Sequence, residues 1–389
     1  MNEKTRRLLQ WAKGNKQGPV TIELIPTNRC NFNCPSCWRQ NCSQREIEKK
    51  YENELSDERL LKLIDEAADI GVRDIAFVGG GEPLMREITF ELIKKIKRYR
   101  MEGDLVTNGS LLTDEMIETF VKVDWERIKF SVDGSDAKLQ DKLRGKVCFD
   151  DIMSNIKKVS ELKKKYKKEK PRLIFNTVVS KENYKDLPNI IELGKKVGIN
   201  EILLLPLTVF SEEGKSMKMT FKQAKEFQKI IKKSLPILKK YNIDSNMANF
   251  VVDVNYLYKT NAMDEVMMQE ASKYNIKERL NKGEKIIQKK KKDPIENFMN
   301  MPCFEPWVHI TILPDGKIAA CFNNYVWETD VTIKDKTLKE LWYGSYFDKF
   351  RKEILSRKLS KACATCCIWR LFEVQDIKKE METAQDVQL

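Results

Sequence analysis

Cys30-Asn31-Phe32-Asn33-Cys34-Pro35-Ser36-Cys37 sets three cysteines at intervals of three and then two residues, directly behind the apolar run Val20 to Ile25. The number of thiols decides the reading. A zinc ion without catalytic duty closes with four protein ligands, and an iron–sulfur cube held wholly by protein takes four thiolates. Three thiolates on a [4Fe–4S] cube leave one iron open to another ligand.

Composition bounds what such a loop can belong to. A chain of 389 residues is long enough for two domains, each with a sizeable core. No apolar run approaches the ~20 residues that span a bilayer, the longest being Glu201 to Phe210. The charged start, Met1 to Leu9, lacks the apolar core of a signal peptide. A cytoplasmic, reducing setting is therefore expected, in which the ten cysteines serve as ligands or catalysts rather than disulfides. The net charge of +13 and the lysine runs at 163–170 and 285–292 invite a nucleic-acid partner. The first run, however, ends an amphipathic helix, where cations suit the C-terminal dipole, and no recognition helix or aromatic platform accompanies either. Nucleic acid is not the expected partner. The single histidine, His309, excludes a His-built zinc site and, elsewhere in the chain, a His general base.

Outward from the cysteine loop the chain alternates strand and helix signals. Strands are expected at 20–25, 74–78, 104–107, 128–132, 172–179 and 202–205. Helices are expected behind Ser56, at 88–98, behind Thr113, at 149–166, at 190–197 and at 220–241. Six such βα units imply an α/β fold with a parallel sheet and a ligand site at the C-terminal strand ends. The motifs fall there: Cys30 to Cys37 after the first strand, Gly79-Gly80-Gly81-Glu82-Pro83 after the second, Asn108-Gly109 after the third, and Ser131 and Asp133-Gly134 closing the fourth. The glycines either admit a ligand to the backbone or make a tight turn. Glu82 or its neighbouring carbonyls can take an ammonium group, and Ser131 a ribose hydroxyl.

With CxxxCxxC followed by Gly80-Gly81-Glu82-Pro83, the chain resembles the radical SAM superfamily. Ser36 stands where many members carry an aromatic residue. The resemblance implies a partial (β/α)6 barrel in which S-adenosylmethionine (SAM) chelates the open iron of a [4Fe–4S] cluster and is reductively cleaved to a 5′-deoxyadenosyl radical. It also implies that the Ser131-Val132-Asp133-Gly134 segment contacts the ribose, that Arg144 pairs with the SAM carboxylate, and that Asn176, Asn183 and Leu205 lie in later SAM-contacting segments.

A second cysteine set follows. Pro314-Asp315-Gly316, between Trp307 to Ile310 and Ile318 to Ala320, reads as a β-hairpin bringing Cys303 toward Cys321, with one helix over 338–355 before Cys363 and Cys366. Four thiolates suit zinc or a complete [4Fe–4S] cluster. The spacing Cys303-x12-Gly316-x4-Cys321 resembles the opening of the SPASM auxiliary domain. Phe372 stands where the longer version continues its cysteines, so the four look like the shortened Twitch form, which implies a second iron–sulfur cluster.

The expected organisation is an N-terminal arm at 1–19, too short for a peptide-recognition domain; a barrel at 20–208; a helical Met/Lys-rich connection at 209–300; and an auxiliary cluster domain at 301–389. Met217, Met219, Met247, Met263, Met267, Met268 and Met299 of the connection read as flexible core filler rather than a lid. The expected function is hydrogen-atom abstraction from a small polyol or sugar-like molecule, with the auxiliary cluster accepting an electron and a ferredoxin or flavodoxin as reductant. The alternatives are a redox-neutral epimerase, with Cys148 returning a hydrogen atom; a peptide- or protein-modifying enzyme; and a basic zinc or iron–sulfur nucleic-acid-binding protein without turnover.

Overall fold

A computed structural model of the chain describes residues 1–251, 298–321, 329–357 and 368–386. Among them run nine strands: β1 (Thr21–Leu24), β2 (Asp74–Phe77), β3 (Glu102–Thr107), β4 (Arg127–Ser131), β5 (Arg172–Val179), β6 (Glu201–Pro206), β7 (Asp244–Ser245), β8 (His309–Ile312) and β9 (Ile318–Ala319). The described residues form two compact units, divided within β2.

One unit comprises residues 25–54 and 76–251. Its strands β3 to β7 pair in sequence order, all parallel, which is the α/β arrangement expected of a partial radical SAM barrel. The expected helices at 88–98 and 149–166 appear at those bounds. Thr113 caps Asp114–Lys122 through the Met116 N–H, and Thr220 closes a capping box with Gln223 on Phe221–Tyr241. The two faces of this sheet differ. Phe130 and Ile152 of helix Phe149–Tyr166 crowd the same side of Gly109, and Phe175 and Ile202 crowd Gly194 of helix Leu187–Val197. That face is therefore the one the helices cover. Side chains of paired residues on parallel strands point the same way and alternate along each strand. Lys129, Ser131, Asn176, Val178, Leu203 and Leu205 consequently occupy the face turned away from the helices. Met217 packs with Leu143 and Leu207, and Met219 and Met247 are buried, as core filler would be.

The other unit comprises residues 1–24 and 55–75 with the described residues from 298 onward. Ser56 caps helix Asp57–Asp69, which buries Leu60, Leu63, Ile64 and Ala67. The hairpin forms as β8 antiparallel to β9, Thr311 opposite Ala319. Its first strand also pairs in parallel with β1, Thr21 opposite His309, joining segments far apart in the sequence. The N-terminal residues form helix Glu3–Ala12, whose Leu8 joins Trp307, Val308, Ile354 and Met381 in one core. Arg351 sits within this unit over the rings of Trp11, Trp342 and Phe347, donating to the carbonyls of Pro306 and Trp342. The helix expected over 338–355 is two helices, Leu338–Trp342 and Ser345–Leu355, because the chain turns extended at Gly344. Residues 252–297, including Met263, Met267 and Met268, lie outside the described residues, as do Cys363, Cys366 and Cys367.

Candidate active site

The cysteine loop leaves β1 and is fixed by its neighbours before any ligand is considered. Thr27 Oγ1 and the Asn28 N–H donate to the Glu54 carboxylate, and Trp38 Nε1 donates to the Gly80 carbonyl at 2.9 Å. The Gly81 N–H reaches the Thr27 carbonyl at 3.0 Å and the Glu82 N–H that of Arg29 at 2.8 Å. A Cβ on Gly81 would lie 2.0 Å from the Arg29 carbonyl oxygen, and one on Gly80 2.4 Å from Asn28 Oδ1. The close approach these glycines permit is thus to the backbone of the cysteine loop at Gly81 and to the Asn28 side chain at Gly80. Cys30, Cys34 and Cys37 are all partly buried. Burial pushes the Cys30 and Cys37 thiols above their ordinary value, with the neighbouring cysteines adding to the shift and Arg39 opposing it.

Glu82 is 2 % exposed and turned inward. Its Oε1 accepts from Thr107 Oγ1 at 2.7 Å and the Leu84 N–H at 3.2 Å, and its Oε2 from the Asn108 N–H at 2.6 Å. The carboxylate therefore ties the loop after β2 to the end of β3. Burial outweighs those three donors and pushes it up to about 7. Asn108 donates from Nδ2 to Asn31 Oδ1 at 2.8 Å, while Asn31 donates to Ser110 Oγ at 2.9 Å, which stitches the cysteine loop to the loop after β3.

On the other flank, Asp133 accepts the Val178 N–H on Oδ1 and faces Arg144 Nη2 at 2.7 Å with Oδ2. Arg144 ends a helix, Ala137–Arg144, absent from the sequence expectation. Gly145 follows it at φ +63°, where a Cβ would lie 2.2 Å from the Asn33 carbonyl, so this turn rests on the cysteine loop. Burial works against the charge of the Arg144 guanidinium, but Asp133 and the nearby Cys34 outweigh burial and hold its pKa above normal. Its Nε is buried and finds no hydrogen-bond partner among the described residues. Gln140, also missed in the sequence, accepts the N–H groups of Asp133 and Gly134 and donates to the Ser131 carbonyl. Asn183 spends its side chain on the Asp133 and Val178 carbonyls and the Ser180 N–H.

Ser131 and Asn176 are direct cross-strand partners, and Leu205 partners Val178, so the three share the face free of helices. Cys148 is 2 % exposed and precedes helix Phe149–Tyr166, its N–H donating to Asp141 Oδ1 at 2.9 Å. Burial and Asp141 push its thiol up to about 12. In the other unit, Cys303 Sγ accepts the Glu305 N–H at 3.4 Å and Cys321 follows β9. His309 is buried, with Nε2 3.1 Å from Thr311 Oγ1 and 3.4 Å from Glu23.

These residues fit an iron–sulfur cluster with a carboxylate-bearing ligand. Among the described residues no three His, Cys, Asp or Glu side chains converge on a single-ion site. Cys30, Cys34 and Cys37, all partly buried on one loop, are the thiols that would hold a cube. A buried guanidinium with a donor unpartnered among the described residues matches a carboxylate-bearing ligand.

Comparison with known proteins agrees. The model of the Radical SAM superfamily matches residues 24–194, and that of the SPASM iron–sulfur cluster-binding domain matches residues 303–367. The Fe-coproporphyrin III synthase of Methanosarcina barkeri is 33% identical over 54% of this chain and 48% of its own. The tungsten-containing aldehyde ferredoxin oxidoreductase cofactor-modifying protein of Pyrococcus furiosus is 28% identical over 48% of this chain and 52% of its own. The chain spans about half the length of these curated relatives. Among solved structures, Streptococcus suis SuiB bound to S-adenosylmethionine superposes with a TM-score of 0.60 at 16% identity, over 89% of this chain and 71% of that one. The protein anSMEcpe with bound AdoMet gives 0.57 at 18%, over 91% and 88%. At such identities the likeness is one of fold.

Proposed function

We propose, from the premise that this chain belongs to the radical SAM superfamily and carries a C-terminal SPASM iron–sulfur domain, that it abstracts a hydrogen atom from a small hydroxyl-bearing molecule and oxidises it. SAM and iron–sulfur clusters are its cofactors. Once bound and reduced by one electron, SAM supplies a 5′-deoxyadenosyl radical, and the protein's part is to orient it and keep it from water. Cys30, Cys34 and Cys37 hold the first cluster. Arg144, braced by Asp133, takes the SAM carboxylate; carbonyls of the Gly80-Gly81-Glu82 turn take its ammonium, beside Asn108; Ser131, Asn176 and Leu205 line the ribose side. Cys303, Cys321, Cys363 and Cys366 would hold an auxiliary cluster, which would supply an acceptor for the substrate electron, and a donor such as ferredoxin or flavodoxin would be the reductant. The observation that supports this most is Arg144, buried against Cys34 and Asp133 with its Nε unpartnered among the described residues.

A redox-neutral epimerisation is the second reading, favoured by the Cys148 thiol, which at about 12 keeps its hydrogen at neutral pH. Peptide modification is a third, supported by the PqqA peptide cyclase of Granulibacter bethesdensis, 28% identical over 46% of this chain. No helix among the described residues is long and apolar enough to cross a membrane. Anaerobically reconstituted protein given SAM and dithionite should release 5′-deoxyadenosine; none from protein with its full iron content removes the radical chemistry.

A further inference from the structure

On the face of the β3–β6 sheet turned away from the helices, a charged group lies where a barrel wall would ordinarily be apolar. Asp104 on β3 is 4 % exposed. Its Oδ2 receives both Lys129 Nζ at 2.6 Å and Arg127 Nε at 3.2 Å, from β4. Its Oδ1 is buried and has no hydrogen-bond partner among the described residues. Buried acceptors are nearly always satisfied, so a carboxylate oxygen unpartnered among the described residues is open to a donor from a bound ligand. The position is telling. Lys129 lies two residues before Ser131 on the same face, about 7 Å deeper along the strand. Val106, paired with Lys129, and Ile174 give that level an apolar wall.

We infer that Asp104 and Lys129 form the polar anchor of the substrate cavity, and that the group they hold is a hydroxyl or pair of neighbouring hydroxyls. The inference rests on the radical SAM reading only for the identity of the layer above, where Ser131 and Asn176 face the ribose. The charge pattern selects the ligand. A carboxylate would meet Asp104 and an ammonium would meet Lys129 and Arg127, whereas a hydroxyl donates to Oδ1 while accepting from Nζ. A single anchor set among aliphatic side chains suits a small polyol better than an extended peptide, which would need a row of backbone partners.

Saturation-transfer NMR of myo-inositol on the full chain without SAM tests the anchor alone. The expected result is transfer to inositol that falls at least tenfold in Lys129→Met at unchanged melting temperature. If that variant does not fold, Lys129→Gln, which keeps a shorter polar side chain, serves the comparison. Equal transfer in the variant, stronger transfer to succinate or a capped tripeptide, or no transfer to any probe overturns the inference. A second arm uses reconstituted protein, SAM, dithionite and inositol deuterated at carbon. Homolysis of a C–D bond passes deuterium to the 5′ carbon, and the carbon radical left behind is quenched by a dithionite electron and a solvent proton. The fraction of deoxyadenosine carrying deuterium should fall tenfold in Lys129→Met. Absence of any deoxyadenosine would sink the radical reading while leaving the NMR result to decide the anchor.

Discussion

A guanidinium buried beside a thiol and a carboxylate is costly to desolvate, and the Asp133–Arg144 pair at 2.7 Å offsets that cost while leaving Nε unpartnered among the described residues. On the proposed reading, a bound carboxylate would complete the set. Arg144→Ala should therefore keep its iron but bind SAM at least about tenfold more weakly, a loss of ~1.4 kcal/mol or more by equilibrium dialysis; unchanged affinity would return Arg144 to a bracing role for the loop. Glu82 makes a different prediction. Its carboxyl is raised from 4.5 to about 7, so the folded state holds a proton that the unfolded state gives up earlier. That contribution is complete below about pH 4.5 and is lost as pH rises through about 7, up to about 3 kcal/mol in all. The melting temperature of cluster-free protein should then fall between about pH 5 and about pH 8 more steeply than that of Glu82→Gln. Parallel slopes would show that Glu82 titrates without linkage to folding.

At the scale of elements, what was legible had local causes. Helices 88–98 and 149–166 were readable because their apolar residues recur at helical spacing, and β5 because Arg172 to Val179 is rich in β-branched and other apolar residues. Helix Ala137–Arg144 was not, since it buries Gln140 beside Leu143 and offers too few apolar positions to show a period. Asp136 as N-cap, accepting the Leu139 N–H, and Gly145 behind it were the available signal. Helix Glu3–Ala12 hid in the same way behind its charges, because the side chains it buries include Thr5 and Arg7. The cysteines and the glycine turn were legible as chemistry. Their mutual packing was not, because nothing local in Gly81 tells that the Arg29 carbonyl will occupy the space of its missing Cβ. Gly81→Ala should push the cysteine loop off its seat, so that reconstituted protein loses about half its iron and its SAM cleavage while staying folded by circular dichroism. Full iron in that variant would mean that the loop accommodates the methyl group elsewhere.

For the whole molecule, the pairing of β8 with β1 joins the hairpin after Cys303 to the first strand, a contact between distant segments that no local pattern encodes. If the two cysteine sets each hold a cube, anaerobic protein should carry about eight irons and little zinc, and replacing Cys30, Cys34 and Cys37 with alanine should remove about half of them and all SAM cleavage. Stoichiometric zinc would instead assign the second set to a structural ion. The fate of the substrate electron is then the remaining choice, and hydrogen isotopes separate its outcomes. An enzyme that passes the electron to an auxiliary cluster releases an oxidised product, and nothing from solvent enters the attacked carbon. One that restores a hydrogen atom from a thiol delivers hydrogen that has exchanged with water. Cys148 has the necessary S–H, since burial and Asp141 push it up to about 12, and it lies close enough to Cys34 and Arg144 to feel both. With a substrate in hand and a protein electron carrier in place of dithionite, turnover in heavy water should leave the attacked carbon free of deuterium. Deuterium there would reject the oxidation, and its disappearance together with turnover in Cys148→Ala would make Cys148 the donor.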